Sequence, residues 1–325
     1  MNILVTGGTG FLGSQLARAL LVRDHRVVVM GRNFDQIPDL VATGARPLHA
    51  DLRDRNAIVE ACHGMEAVYH IGAFSAPWGN RQDFYAINVQ GTEHVIAGCE
   101  KHGVSRLINV SSPSVLFNGY DQTNLTDAAP YPPQFTSVYS ESKKLAEDRL
   151  KAAQQRGLAT VNLRPKAIFG PGDTALLPRL IKVARAGRLP QIGDGRNRVD
   201  LTYIDNVVHA LLLALDAPAA VGNSYTITND EHPLLWEVIR KVLRSLGIAD
   251  NLRAVPYQVM WAAARAMEQA ALVTRREPLL TTYTVAILCR TQTYDITAAK
   301  QDLGYRPVVS LADGIERTLQ HLKGD

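Results

Sequence analysis

The sequence predicts an α/β fold: a doubly wound parallel sheet with a smaller C-terminal part. Short β-rich apolar runs alternate with helix-like stretches, a glycine-rich loop joins the first run to the first helix, and the punctuation changes after residue 170. Strands that are apolar throughout, separated by helices, indicate a parallel sheet covered on both faces. Right-handed crossovers then wind that sheet in two directions.

The elements follow in order. Residues 3–6 make the first strand, and 11–22 a helix with Leu12, Leu16, Ala19 and Leu20 on one face. Val27, Val28 and Val29 carry a second buried strand over 26–30. Runs at 67–71, 107–111 and 160–163 repeat the signature. Beyond 170, Gly170, Gly172, Gly187, Gly193 and Gly195 mark loops, and 200–214 reads as a strand end entering a helix. From Pro233 the chain is largely helical, broken at Pro256 and Pro278. The expected division is a nucleotide-binding domain over 1–170 and a mainly substrate-binding part over 171–325. Segments at about 200–228 return to the main domain.

Composition narrows the class. Hydrophobic residues make up 46% and charged residues 20% of 325, as in a soluble globular protein. A net charge of +4, with both signs interspersed, leaves no footprint for nucleic acid. Cys62, Cys99 and Cys289 are widely separated, with no CxxC, and the histidines show no metal-ligand spacing. The expectation is a cytoplasmic protein without a metal. Residues 1–2 lead straight into a core strand, which is not how a signal peptide begins. The most apolar later stretch, 254–273, is interrupted by Arg265 and Glu268, short of the roughly 20 apolar residues of a membrane span.

Gly7, Gly8, Thr9, Gly10, Phe11, Leu12 and Gly13 lie between the first strand and the first helix. A G-x-x-G-x-x-G loop there lets the backbone approach a pyrophosphate, and the helix N-terminus offers N–H donors and partial positive charge. The placement, more than the glycines, points to a dinucleotide. The second strand ends Met30-Gly31-Arg32-Asn33, with no carboxylate to accept from a ribose hydroxyl. Gly31 leaves room and Arg32 can pair with a 2′-phosphate, so NADP is preferred and NAD stays open.

Tyr139 and Lys143, four apart, share a helix face. A phenol ordinarily titrates near 10. A neighbouring ammonium is expected to lower that value and let Tyr139 pass a proton, with Lys143 also holding the nicotinamide ribose. The strand at 107–111 ends in Ser111 and Ser112, at the carboxyl edge where parallel sheets bind ligands. Ser112 is assigned to the substrate oxygen. A serine that merely caps a turn is the competing account for Ser111 and Ser114.

Together these residues resemble the extended short-chain dehydrogenase/reductase family over essentially the whole chain. The resemblance rests on the loop from Thr6 to Gly13, the pair Asp51-Leu52, His70-Ile71-Gly72-Ala73, Asn88 in N-x-x-G-T, Tyr139-x-x-x-Lys143, and Leu163-Arg164-Pro165 through Ile168 to Gly172. It implies that Asp51 and Leu52 contact the adenine. It also implies that Ile71, Gly72, Ala73, Asn88, Pro165 and Ile168 line the cofactor. Ser112-Pro113-Ser114-Val115 and Val199-Asp200-Leu201-Thr202-Tyr203 are most similar to the 3β-hydroxysteroid dehydrogenase branch, which includes bacterial β-keto acid reductases of olefin synthesis. The sugar-nucleotide epimerase branch usually has an Arg before that Tyr; this chain has Thr202 there, with Arg196 and Arg198 nearby.

The function expected is hydride transfer between nicotinamide and a secondary alcohol or ketone of a bulky apolar substrate, sterol-like or a long-chain β-keto compound. Ser114, Trp78, Arg196, Arg198 and Trp261 are the candidate substrate contacts. The 254–285 region is read as a helix completing the small core, as a lid on an apolar pocket, or as a peripheral membrane contact. A sugar-nucleotide epimerase or reductase and an NADP-binding redox sensor are the rival functions. The resemblance implies a homodimer formed by helices flanking the sheet.

Overall fold

The stiff side chains of Val27, Val28 and Val29 suit a pleated surface buried on both sides, and such residues build the central sheet. In the computed structural model, which describes residues 1–324, seven strands form it. They are β1 (Asn2–Thr6), β2 (Arg26–Gly31), β3 (Arg46–His49), β4 (Ala67–His70), β5 (Arg106–Val110), β6 (Thr160–Pro165) and β7 (Ser224–Ile227). Their spatial order is β7-β6-β5-β4-β1-β2-β3, parallel throughout. The order reverses between β1 and β4, which opens a crevice at their carboxyl ends.

The main helices over this sheet are α1 (Phe11–Val22), α2 (Gly91–His102), α3 (Val138–Gln155) and α4 (Ile204–Asp216). Alternate strand residues feed opposite layers, as the period of two requires. Ile3, Val5, Val27 and Val29 pack with Leu16 and Leu20 of α1 and Val207 and Leu211 of α4. Leu4, Val28, Val68 and Leu107 pack on the other side with Val95 and Cys99 of α2 and Leu150 of α3. Each face of the sheet therefore has its own apolar core.

The late helices α5 (Leu235–Ser245), α6 (Tyr257–Thr274) and α7 (Thr282–Cys289) gather round Trp236, Ile239, Leu243, Ala264 and Val285. On α6 the buried residues are Ala264, Glu268 and Ala271, and Glu268 accepts from the Thr282 N–H at 2.8 Å. Trp261 is 43% exposed on that helix. The inward positions of α6 are instead Ala264 and Ala271, which let α7 approach, and Glu268, which holds its start. Among the described residues, no helix is long and apolar enough to cross a membrane.

Candidate active site

The crevice is floored by two turns packed backbone to backbone. Gly7 follows β1 with φ of +65°, and a Cβ there would fall 2.5 Å from the Gly72 Cα after β4. Only a residue without a side chain permits that approach. Gly10 caps α1 without a side-chain hydrogen bond, and the first turn of α1 carries no acid. The free N–H groups there suit a pyrophosphate, so the residues present fit a dinucleotide. Phe11 and Leu12 continue into α1, where Leu12 is buried.

At the end of β2 the structure gives Gly31 a second reason. A Cβ at Gly31 would lie 2.4 Å from the Thr9 side chain, so the glycine accommodates Thr9 of the phosphate loop as well as leaving room beyond it. Arg32 is exposed and makes no hydrogen bond or ion pair among the described residues. Asp51 is gripped by Arg53, whose Nε and a terminal nitrogen donate at 2.9 and 2.7 Å to its two oxygens. That hydrogen bonding holds the carboxyl at about 2. Leu52 is buried beside Gly72 and Gly91.

His70, at the end of β4, is fixed by two threonines. Thr92 Oγ1 donates to the Asn88 carbonyl at 2.7 Å, so it receives the Nε2–H of His70 at 3.0 Å. His70 Nδ1 then accepts from Thr6 Oγ1 at 2.8 Å. Burial, reinforced by the Lys143 charge, lowers its pKa to about 3 and keeps the ring neutral. Ile71, Gly72 and Ala73 follow in an irregular, half-buried segment.

Asn88 stands in a π-helical turn, Tyr85–Gln90, an irregularity frequent at functional sites. Its Oδ1 accepts from the Phe74 N–H at 2.7 Å. Its Nδ2 donates to the Phe74 carbonyl at 3.1 Å and to Ser142 Oγ at 2.9 Å. Its amide clamps the loop after β4 onto α3. Phe84 packs against Phe74 and, with ring centres 6.5 Å apart, against Tyr139. Trp78 is half-buried in the same loop.

Ser137 caps α3 by accepting from the Ser140 N–H at 3.1 Å, which places Tyr139 and Lys143 in the first two turns. Ser112 follows β5, accepts from the Ser114 N–H at 3.2 Å and is hydrogen-bonded to the Tyr139 hydroxyl. It is Ser112 that caps the turn, Pro113–Leu116. Burial pushes the Tyr139 phenol up to about 12, while the Ser112 hydrogen bond works the other way. The expected lowering by Lys143 is not what the geometry gives. Lys143 Nζ donates to the Val110 carbonyl at 2.6 Å, and burial brings the ammonium down to about 8 against the raising influence of Glu147.

The structure thus brings Ser112, Tyr139, Lys143, the glycine loop, His70 and Gly72 to one end of the sheet. Pro165 closes β6, and Ile168 pairs with Thr202 in a two-residue parallel bridge beside it. Arg196 is exposed in the Gly193–Gly195 loop region, and Arg198 donates to the His232 carbonyl at 2.7 Å. Neither shares a contact with Tyr139 or Ser112.

Further residues join the site that no motif marks. Tyr283 of α7 is buried close to Ser114 and Tyr139, and burial pushes its phenol up, reinforced by Tyr139. Tyr294 is buried near Tyr283, with Lys166 Nζ 5.7 Å from its ring centre. Glu147, one turn beyond Lys143, accepts from Arg164 Nε at 2.8 Å and from the Tyr131 hydroxyl at 2.7 Å. Spacing by four from Lys143 was the available signal for Glu147; Tyr283 and Tyr294 lie too far along the chain for any spacing to reveal them.

A family model, the 3-beta hydroxysteroid dehydrogenase/isomerase family, matches residues 4–256. The chain belongs to this family. The 3-beta hydroxysteroid dehydrogenase/isomerase match is joined by full-length relatives. A 2-alkyl-3-oxoalkanoate reductase of Stenotrophomonas maltophilia (strain K279a) is 39% identical, covering 98% of each chain. The human sterol-4-alpha-carboxylate 3-dehydrogenase, decarboxylating, is 33% identical, covering 98% of this chain and 87% of that one. Among solved structures, the dTDP-glucose 4,6-dehydratase DesIV of Streptomyces venezuelae, with NAD and TYD bound, superposes with TM-score 0.80 at 26% identity. The match covers 100% of this chain and 98% of that one. Membership of the family makes this chain an oxidoreductase of the NAD(P)-dependent dehydrogenase/reductase class.

Proposed function

We propose that this chain reduces the ketone of a bulky, apolar 3-oxo acid, with NADP as the preferred cofactor. The observation that carries the reading is Tyr139 in the first turn of α3, one turn before Lys143 and beside Ser112 at the glycine-loop end of the sheet. The reductive direction follows the relative named as a 2-alkyl-3-oxoalkanoate reductase. A neutral phenol is an acid ready to give its proton to a carbonyl oxygen. The relatives named for 3-oxoalkanoates and sterol carboxylates support the substrate class. A small apolar cavity of about 120 Å³, lined by Phe169, Leu177, Leu180, Ile239, Leu288 and Leu319, lies beside Lys166. A larger polar cleft, about 650 Å³, lies against Asp127, Lys151 and Asp302, and none of the glycine-loop residues lines it.

The cofactor, when bound, supplies the hydride. Gly7, Gly10 and the start of α1 would hold its pyrophosphate, and Arg32 its 2′-phosphate. Lys143, fixed on the Val110 carbonyl, has two further N–H donors for the ribose. Ser112 donates to the substrate oxygen and Tyr139 passes it a proton. Lys143 limits where that proton is replaced from. Ser114 Oγ, buried and without a hydrogen-bond partner among the described residues, is free to contact the substrate. The glycine-loop and sheet segments of 1–170, with the strand β7, hold cofactor, and the later helices meet the substrate.

Removing the phenol tests the reading. Tyr139→Phe is expected to lower kcat by about a thousand-fold, within the usual range for a lost general acid, and to leave NADPH binding nearly intact. Unchanged turnover of 3-oxo acids would remove Tyr139 from the mechanism. A cytoplasmic homodimer through the sheet-flanking helices belongs to the same proposal. Three free cysteines, two of them buried, agree with a reducing compartment, and light scattering of the purified protein measures the dimer.

A further inference from the structure

Two residues beside the site, Lys166 and Gln292, have no part in the mechanism above. The backbone of Lys166 is pinned on both sides: its N–H donates to the Ile227 carbonyl at 3.0 Å, and its carbonyl accepts from Thr202 Oγ1 at 2.5 Å. Ala167 next to it holds φ of +45°, a left-handed conformation that residues with a Cβ seldom adopt and that recurs at functional sites. The ammonium is held inside the protein. It donates to Gln292 Oε1 at 2.5 Å and lies near Tyr294, on the same side as Tyr283 and Tyr139.

An ammonium can only donate, so Oε1 of Gln292 is the atom it holds, and the amide Nε2 is left as a second donor beside it. Gln292 is 2% exposed, and its Nε2 has no hydrogen-bond partner among the described residues. Buried amide donors without an acceptor are rare, because the lost hydration is not replaced. The nearby anion, Asp200, is bonded elsewhere: one oxygen to His232 Nδ1, and the other accepts from the Tyr294 N–H at 2.8 Å. Burial also brings Lys166 down to about 8, with Asp200 raising it, so the charge is under-compensated. A rigid ammonium beside an amide donor that lacks an acceptor is the complement of a carboxylate.

Both relatives' names place a carboxylate on the carbon next to the one that reacts: 2-alkyl-3-oxoalkanoate, and sterol-4-carboxylate with a 3-dehydrogenase. We infer that Lys166 Nζ and Gln292 Nε2 bind the substrate carboxylate and so set which carbonyl meets Tyr139. This rests on the 3-oxo acid reading above and assigns its anchor. Without the carboxylate, an apolar ketone has no directional hold in a cavity lined by leucines. With it, the acid end is fixed at Lys166 and the alkyl arm is left for the apolar wall.

The test compares kcat/KM for a 2-alkyl-3-oxoalkanoate and its methyl ester with NADPH, in the wild type, Lys166→Met, Lys166→Arg and Gln292→Met. Loss of a charge-assisted hydrogen bond should cut the acid-to-ester ratio about 10- to 100-fold in Lys166→Met. Lys166→Arg should retain most of the ratio, and Gln292→Met should lower it less than Lys166→Met does. Calorimetry gives a readout without turnover: the 3-hydroxy acid should bind the wild type more tightly than its ester, and Lys166→Met should erase the difference. An unchanged ratio in Lys166→Met, or an equal loss on acid and ester, overturns the anchor. A wild type that reduces acid and ester equally overturns the anchor while the 3-oxo reading stands. A wild type that reduces neither overturns both.

Discussion

Lys143 is pulled by two opposing influences. Burial lowers its ammonium to about 8, and the Glu147 carboxylate one turn along raises it. Its charge is present below about pH 8 and lost above it, so kcat/KM is expected to decline as pH rises through that value. Glu147→Gln removes the raising influence, and the break should move to lower pH. A pH–rate profile of the two proteins measures this, and a break that stays in place would separate Glu147 from Lys143. Arg32 makes a second prediction at this scale. It is exposed and unpaired beyond β2, so Arg32→Ala should weaken NADPH binding about 10- to 100-fold and leave NADH binding alone. Fluorescence titration of both cofactors reads it. Lys166 and Gln292 show where residue-level reading of a sequence stops: they lie 126 positions apart and share a hydrogen bond only in the folded chain.

The helix α3 shows what an element contributes. The sequence puts Tyr139 and Lys143 on one helix face without fixing where that helix starts; it begins at Val138, because Ser137 supplies the missing acceptor there. Tyr139 is thereby held in the first turn, where helix ends otherwise fray. Ser137→Ala should cost about 1 kcal/mol of stability, measured by denaturant unfolding, and should lower kcat more than NADPH affinity. Legibility varied with the element. α1 matches its expected limits, because a glycine loop starts it and one apolar face runs along it. β3 was not legible: Arg46-Pro47-Leu48-His49 holds one large apolar residue and a proline, a composition that only an edge strand tolerates. Asn88 was found by motif, but its clamping bonds were not legible, since a motif gives a position and the amide's partners come from the loop folded over it.

At the scale of the molecule, the buried network of Glu147, Arg164, Asp127 and Tyr131 ties α3 to β6 and to the loop before the helix. Arg164 is 2% exposed and donates twice to Glu147, so Arg164→Met would strand Glu147 without its partner. Breaking a buried pair in this way should remove about 3–5 kcal/mol in denaturant unfolding. Acid acts on the whole fold through two groups of the same sign. His70 titrates at about 3 in the folded protein, so below about 6.5 the unfolded chain takes its proton first, and stability falls from there toward pH 3. Hydrogen bonds from Arg164 hold Glu147 below its ordinary value despite burial, so its contribution is present above that value and disappears as pH falls through the folded one. Melting temperatures across pH 7 to 3 should decline throughout, and His70→Asn should flatten the upper part of that curve.

The order of the strands has a temporal side. Gly7 and Gly72, whose backbones meet at the phosphate loop, are both made at least 220 residues before Gln292. A growing chain acquires the cradle for its coenzyme long before it acquires the means to recognise an acid.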